Sequence, residues 1–262
     1  MEVVGWGHTP FGNLGDESAE SLARAAARDA LARACVSASD IDAIVIGTRG
    51  GGPHTSGAAA MMGGLQAVRS GDARRVLVVG VEKMTSPDPA HVDPDVVGFR
   101  NLFARVTKEY FDRYGDHRDT LARIAAKNHR NGVANPYAHL RFDLGFDFCS
   151  RVGAHNPLVA DPLRRTDCCP ISDGAAAVVL AAPGQAPQGP AVRVRGMTWS
   201  NDHPASVSRD PLALFGAHSA WQAVLKRAGV RMSDLQLVET HDCFTIAELL
   251  QYEVLGLCGP GG

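Results

Sequence analysis

The chain has 262 residues, 45% of them hydrophobic, enough to bury a substantial core in one domain or in two closely joined ones. A formal charge of -2 supplies no basic field to hold nucleic acid and no polybasic anchor for a membrane, so small molecules are the expected partners. The opening "MEVVGWG" has no charged leader with a cleavage site, and no apolar run approaches the roughly 18 residues of a membrane span, so a cytoplasmic protein is expected.

The first predicted element is a strand, "EVVGWG". It is followed by "DESAESLARAAARDALARAC", where Ala and Leu recur at helical spacing behind an acidic first turn. "IDAIVIGT" is a short Ile/Val run of buried-strand type. A glycine loop then enters "HTSGAAAMMGGLQAVRSGD", a helix too small-faced for an ordinary surface helix, and "RRVLVVGVEKM" supplies another apolar strand. Alternating strands and helices predict an α/β layered fold with a largely parallel sheet. Residues 86–165 turn polar, aromatic and rich in Asn and His, with helical pieces and little strand signal, which reads as an inserted loop domain. "DGAAAVVLAA" returns to strand grammar. "PGQAPQGP" is a Pro/Gly connector before "AVRVRGMTW", giving expected domains of 1–190 and 191–262.

An internal repeat supports two related units. "LARACVSASDIDAIV" aligns with "LKRAGVRMSDLQLVE" at one constant offset, pairing Arg33 with Arg227, Val36 with Val230 and Asp40 with Asp234. Each copy reads as a helix end, a Ser-Asp turn and an apolar strand, although this turn is also a common helix-to-strand connection.

In the second copy the predicted strand runs into "ETHDCFTIAELLQYEVLGLC". His241, Asp242 and Cys243 thus fall past a strand's carboxyl end and at a helix start, where open α/β sheets place ligands. Backbone N–H groups there suit a developing oxyanion, His241 could donate beside them, and a thiol near a helix start can have a lowered pKa. The competing reading is structural, with Asp242 capping the helix and His241 satisfying a loop. The six cysteines, Cys35, Cys149, Cys168, Cys169, Cys243 and Cys258, form no C-x-x-C pair, so free thiols are expected. The glycine loop fits neither nucleotide fingerprint: Gly50 and Gly52 lack the third glycine, and Gly57 is followed by Ala58 and Ala59 where Lys and Ser/Thr are needed.

The stretches "ESLARAAARDAL", "VLVVGVEKMT", "KNHRNGVANPYAH", "PLRRTDCCPISDGAAAVVL" and "HDCFTIAELLQYEVLGLC" together resemble the thiolase superfamily, in particular its sterol-carrier-type and lipid-transfer branch and acetyl-CoA acetyltransferase-like proteins. The resemblance covers nearly the whole chain and implies a thiolase-like α/β fold acting on acyl-CoA thioesters, with coenzyme A as part of the substrate and no other cofactor or metal. Thiolases carry an acyl-accepting cysteine in a C-x-S-G turn. "HTSG" occupies that place here, so Ser56 and Gly57 match as substrate-binding positions while His54 stands where the cysteine belongs. The resemblance gives His241 an oxyanion role, Asp242 a substrate-binding one and Cys243 a structural one. It places Lys127, His129 and Asn131 in the substrate-facing loop domain, with a helix-capping or surface role as the alternative reading; Cys168 and Cys169, just before "PISDG", read as small packing residues beside the site.

Two departures from the family bear on activity. The helix and strand that normally precede the nucleophile turn have no counterpart between "IDAIVIGT" and "HTSG". No stretch matches the G-H-P-x-G motif or the family's second, acid/base cysteine, so the second half is expected to be incomplete. Three functions follow as expectations. The first is an acyl-CoA C-acyltransferase, impaired without its cysteine. The second is a thiolase-fold retro-aldol lyase of a β-hydroxyacyl-CoA, with His54 and His241 as base and oxyanion donor and a small OB-fold partner. The third is a non-catalytic fragment, or a subunit completed by another chain. A homodimer or a small OB-fold protein is the expected protein partner.

Overall fold

The computed structural model describes residues 1–48, 56–85, 94–186, 191–201 and 210–262. Among these residues the elements run β1 (Glu2–His8), α1 (Ala19–Ala34), β2 (Ala43–Gly47), α2 (Ser56–Ser70), β3 (Arg75–Glu82), α3 (Pro94–Tyr114), α4 (Arg118–Ala134), α5 (Gly145–Ser150), β4 (Leu158–Ala160), β5 (Leu163–Arg164), β6 (Gly174–Ala181), β7 (Val192–Arg193), α6 (Phe215–Ala228) and α7 (Thr245–Val254). They fall into two units. One comprises Met1–Asp88, Pro136–His139 and Ile171–Arg195; the other comprises Pro89–Asn135, Leu140–Pro170 and Gly196–Gly262.

The first unit holds a five-stranded sheet in the order β2-β3-β6-β1-β7. The expectation of a largely parallel sheet is corrected here: β2 and β3 pair in parallel, but β6 is antiparallel to both β3 and β1, and β7 is antiparallel to β1. Strand-helix-strand grammar still fixes β1, β2 and β3 in one direction. β6 re-enters from the far end of a long excursion and slots between β3 and β1, which no local pattern announces. The strand read from "AVRVRGMTW" shrinks to β7, which joins this same sheet by pairing Glu2 with Arg193 and Val3 with Val192.

Helix α1 begins on a side-chain cap, with Ser18 Oγ accepting from the N–H of Ser21 at 3.0 Å. Its buried stripe of Ala26, Ala30 and Ala34 lies against β1. A Cβ on Gly5 would fall 2.3 Å from the Ala30 carbonyl oxygen, and one on Gly7 would fall 2.0 Å from that of Ala26. Helix and strand therefore meet backbone to backbone, which only small residues permit. The small face of α2 has the same cause on β2 and β3, since a Cβ on Gly64 would reach within 2.5 Å of Val78 Cγ2.

Asp173, fully buried, ties the loops at one end of this sheet. Its carboxylate accepts from Lys83 Nζ at 2.6 Å, from the N–H groups of Met84 and Thr85 at 2.7 and 2.8 Å, from the N–H of Leu14 at 3.1 Å, and from the Thr85 hydroxyl. Burial alone would raise its pKa, but these donors win and hold it well below the usual carboxylate range.

The second unit is helical, as the composition of the insertion suggested, apart from the short β4–β5 hairpin. Tyr110 of α3, Leu121 and Ile124 of α4, Leu163 of β5, and Ile246, Leu249 and Leu250 of α7 share one buried cluster with Phe244. No described helix is long and apolar enough to cross a membrane.

The repeat is visible in the backbone. Helices α1 and α6 both end on a left-handed residue, Cys35 at φ 53° and Gly229 at φ 64°. Each leads into a single tight turn, Ala38–Asp40 or Met232–Asp234, closed by its aspartate: Asp40 Oδ2 accepts from the N–H of Ser37 at 2.7 Å and Asp234 Oδ2 from that of Arg231 at 2.9 Å. The copies then diverge. The first continues into β2, whereas residues 235–240, read as the equivalent strand, join no ladder among the described residues.

Candidate active site

The segment His241–Phe244 enters α7 without a regular strand before it, and its residues are fixed one by one from other parts of the second unit. Asp242 Oδ2 accepts from Asn128 Nδ2 at 2.8 Å. The Cys243 carbonyl accepts from the N–H of Cys169 at 3.1 Å, beside an antiparallel bridge between Cys168 and Phe244. The Phe244 ring stacks on Phe103 at a centroid distance of 4.4 Å. The main chain of His241 meets the side-chain amide of Gln251. The residue at the helix cap is Phe244, with no side-chain cap bond, so Asp242 is not the cap that the structural reading proposed.

Behind this segment lies a charged network in an apolar setting. Glu248 on α7, only 2% exposed, accepts from Lys127 Nζ, from the Tyr252 hydroxyl and from Asn128 Nδ2, the last at 2.7 Å. Lys127 also donates to Tyr252 Oη at 2.8 Å. Burial pulls against the charge on Lys127, but its bonds to Glu248 and Tyr252 prevail and raise its pKa. Burial first, and the nearby Glu248 second, push the carboxyl of Asp242 upward.

The thiols beside the segment are held protonated. Burial pushes Cys243 up to about 12, reinforced by Cys169, and pushes Cys168 up to about 12, reinforced by Asp167. Cys169 moves the same way through burial and then Asp242. The expectation that Cys243 gains acidity from the helix start is thus overturned, because desolvation outweighs the helix end. All six cysteines are free thiols.

His241 and Asp242 belong to the second unit, while Ser56 and Gly57 open α2 in the first; His54 lies outside the described residues. Three residues of the second-unit site were missed in the sequence. Glu248 carried a readable sign, a carboxylate inside the apolar run "FTIAELL", whereas Asn128 and Gln251 look like ordinary polar positions on exposed helix faces.

Comparison with known proteins gives the lineage. Residues 199–262 match the family described as thiolase C-terminal domain-like. An acetyl-CoA acetyltransferase of Methanothermobacter thermautotrophicus is 31% identical over 306 residues, spanning 100% of this chain and 79% of that protein. The chain belongs to the thiolase superfamily. Within it the chain falls in the sterol-carrier-type, lipid-transfer branch: human sterol carrier protein 2 is 30% identical over 314 residues that span 99% of this chain and 57% of that protein. This thiolase relative therefore corresponds to little more than half of the sterol carrier protein it matches. Its fold is that of the solved "Ltp2-ChsH2(DUF35) aldolase", with a TM-score of 0.83 at 21% identity over 99% of this chain and 78% of that one.

Proposed function

We propose that the protein binds an acyl-CoA thioester and supports carbon–carbon bond chemistry at the carbon next to the thioester carbonyl, with His241 donating to the enolate oxygen. The anchored segment His241–Phe244 carries this reading: donors aimed at developing charge stabilise a transition state only when they are held in place beforehand, and this segment is tied at each residue. Acyl transfer is the activity named for the acetyl-CoA acetyltransferase relative.

The chemistry of the thiols favours a second reading over acyl transfer. Burial pushes Cys168 and Cys243 up to about 12, and histidine stands at position 54, so a cysteine thioester intermediate has no ready nucleophile among these residues. Retro-aldol cleavage needs none. A base removes the β-hydroxyl proton of a β-hydroxyacyl-CoA, the Cα–Cβ bond breaks to release an aldehyde or ketone, and the enolate takes a proton at Cα to leave the shortened acyl-CoA. His54 is the proposed base, and a small OB-fold chain the proposed partner, in line with the two components named in the "Ltp2-ChsH2(DUF35) aldolase" of like fold.

Calorimetry with acetyl-CoA and a longer acyl-CoA tests binding. Saturable binding is expected, and its absence overturns the proposal in favour of a non-catalytic subunit. Release of a carbonyl product from a β-hydroxyacyl-CoA, lost in His241→Ala, identifies a lyase. A covalent acyl adduct appearing by mass spectrometry in His54→Cys, with no cleavage by the parent chain, returns the assignment to acyl transfer.

A further inference from the structure

We infer that Gln251 is the positioning residue for His241. Gln251 lies on α7 ten residues after His241, and long helical side chains lean toward the helix N-terminus, which carries its amide back to the entering segment. There Nε2 donates to the His241 carbonyl at 2.7 Å and to the Ala247 carbonyl at 2.9 Å, while Oε1 accepts from the His241 N–H at 3.2 Å. Both amide protons and the amide oxygen are engaged, and the reverse orientation would set oxygen against two carbonyls, so the pairing admits one orientation.

Two opposed bonds to the N–H and C=O of one residue reproduce the contact that a neighbouring antiparallel strand makes. Residues 235–240 join no ladder among the described residues, and Gln251 supplies the missing partner at the point where it matters. Fixing the peptides on both sides of His241 fixes the direction of its Cα–Cβ bond, and with it the reach of the imidazole. Asparagine is one methylene too short for this. Glutamate retains an acceptor but turns a charge on two carbonyls, and methionine keeps the length with no hydrogen bond.

The inference rests on the reading of His241 as the enolate donor, and its test uses the free protein so that the two stand or fall separately. The exchange rate of the His241 amide with water and the His241 13Cε1–1H cross-peak, assigned by its loss in His241→Ala, are compared between wild type and Gln251→Met. Amide exchange about tenfold faster is expected, with the His241 cross-peak shifted or broadened and the remaining histidine cross-peaks unmoved. An unchanged amide overturns the inference. So does a faster amide with an unmoved ring signal, since the backbone contact then does not orient the ring. Should Gln251→Met fail to fold, Gln251→Glu is read by the same two signals. Acetyl-CoA binding is measured on wild type alone, so a chain that ignores the thioester does not imitate the loss of the clamp.

Discussion

Asn128 donates through Nδ2 to Asp242 Oδ2 at 2.8 Å and to Glu248 Oε2 at 2.7 Å, so one neutral amide separates two carboxylates. Asn128→Asp replaces that donor with a third negative charge, and a loss of about 2 kcal/mol at pH 7 is expected from the unpaired acceptors. The loss shrinks toward pH 4 as the carboxyls take up protons. Asp242→Asn moves the other way. A carboxyl whose folded pKa is raised favours the folded state most below its unfolded pKa and loses that contribution as pH rises through the folded value, so the variant gains on wild type between pH 4 and pH 7. Urea unfolding of both variants at the two pH values checks the signs.

Lys127→Met strands the buried Glu248. Breaking a fully buried pair costs about 3–5 kcal/mol, and because the Lys127 side chain is 38% exposed we expect about 2 kcal/mol. Adding Glu248→Gln in the same chain restores most of it, since the remaining group no longer carries charge. The raised pKa of Lys127 keeps its contribution constant from pH 6 to 9; it fades only as pH rises above the ordinary lysine range. A double-mutant cycle in urea at pH 7 measures the coupling.

Asp173 is expected to contribute to the acid sensitivity of the fold. With its folded pKa depressed, its contribution is complete above the unfolded value near 4 and drains away as pH falls below it. Asp173→Asn is expected to lose about 3 kcal/mol at pH 7, and the gap from wild type narrows at pH 3. A gap equal at both pH values would show that the carboxylate charge is irrelevant.

Cys35 adopts at φ 53° a conformation that its repeat counterpart, Gly229, adopts without a Cβ penalty. Cys35→Gly is expected to stabilise by up to about 1 kcal/mol, the released left-handed strain exceeding the added freedom of the unfolded chain. Gly229→Ala should lose about as much. Thermal melts of the two variants give opposite shifts.

The α/β class, the helical insertion and the duplicated helix-turn were legible because each is written locally, in periodicity or in a short motif such as Val36–Asp40. The place of β6 was not, because its partners β1 and β3 are chosen by long-range closure of the sheet and not by its own residues. The site divides in the same way. His241 and Asp242 stood out as a polar motif before an apolar helix. Asn128 and Gln251 matter through the partners their side-chain amides meet after folding, and an amide on a helix face reads the same in sequence whether it meets water, a carboxylate or a main chain.

The insertion of β6 between β3 and β1 has a consequence for biosynthesis. While the ribosome has delivered only the first 170 or so residues, β1 has no neighbour on the side that Ala176–Ala181 will occupy, and β3 is bare along the same edge. The nascent chain must carry these unsatisfied edges, and the edge of β1 that β7 will take, through the whole synthesis of the insertion. Closure of the sheet by β6 is therefore a late, long-range step set by the order in which the strands are made.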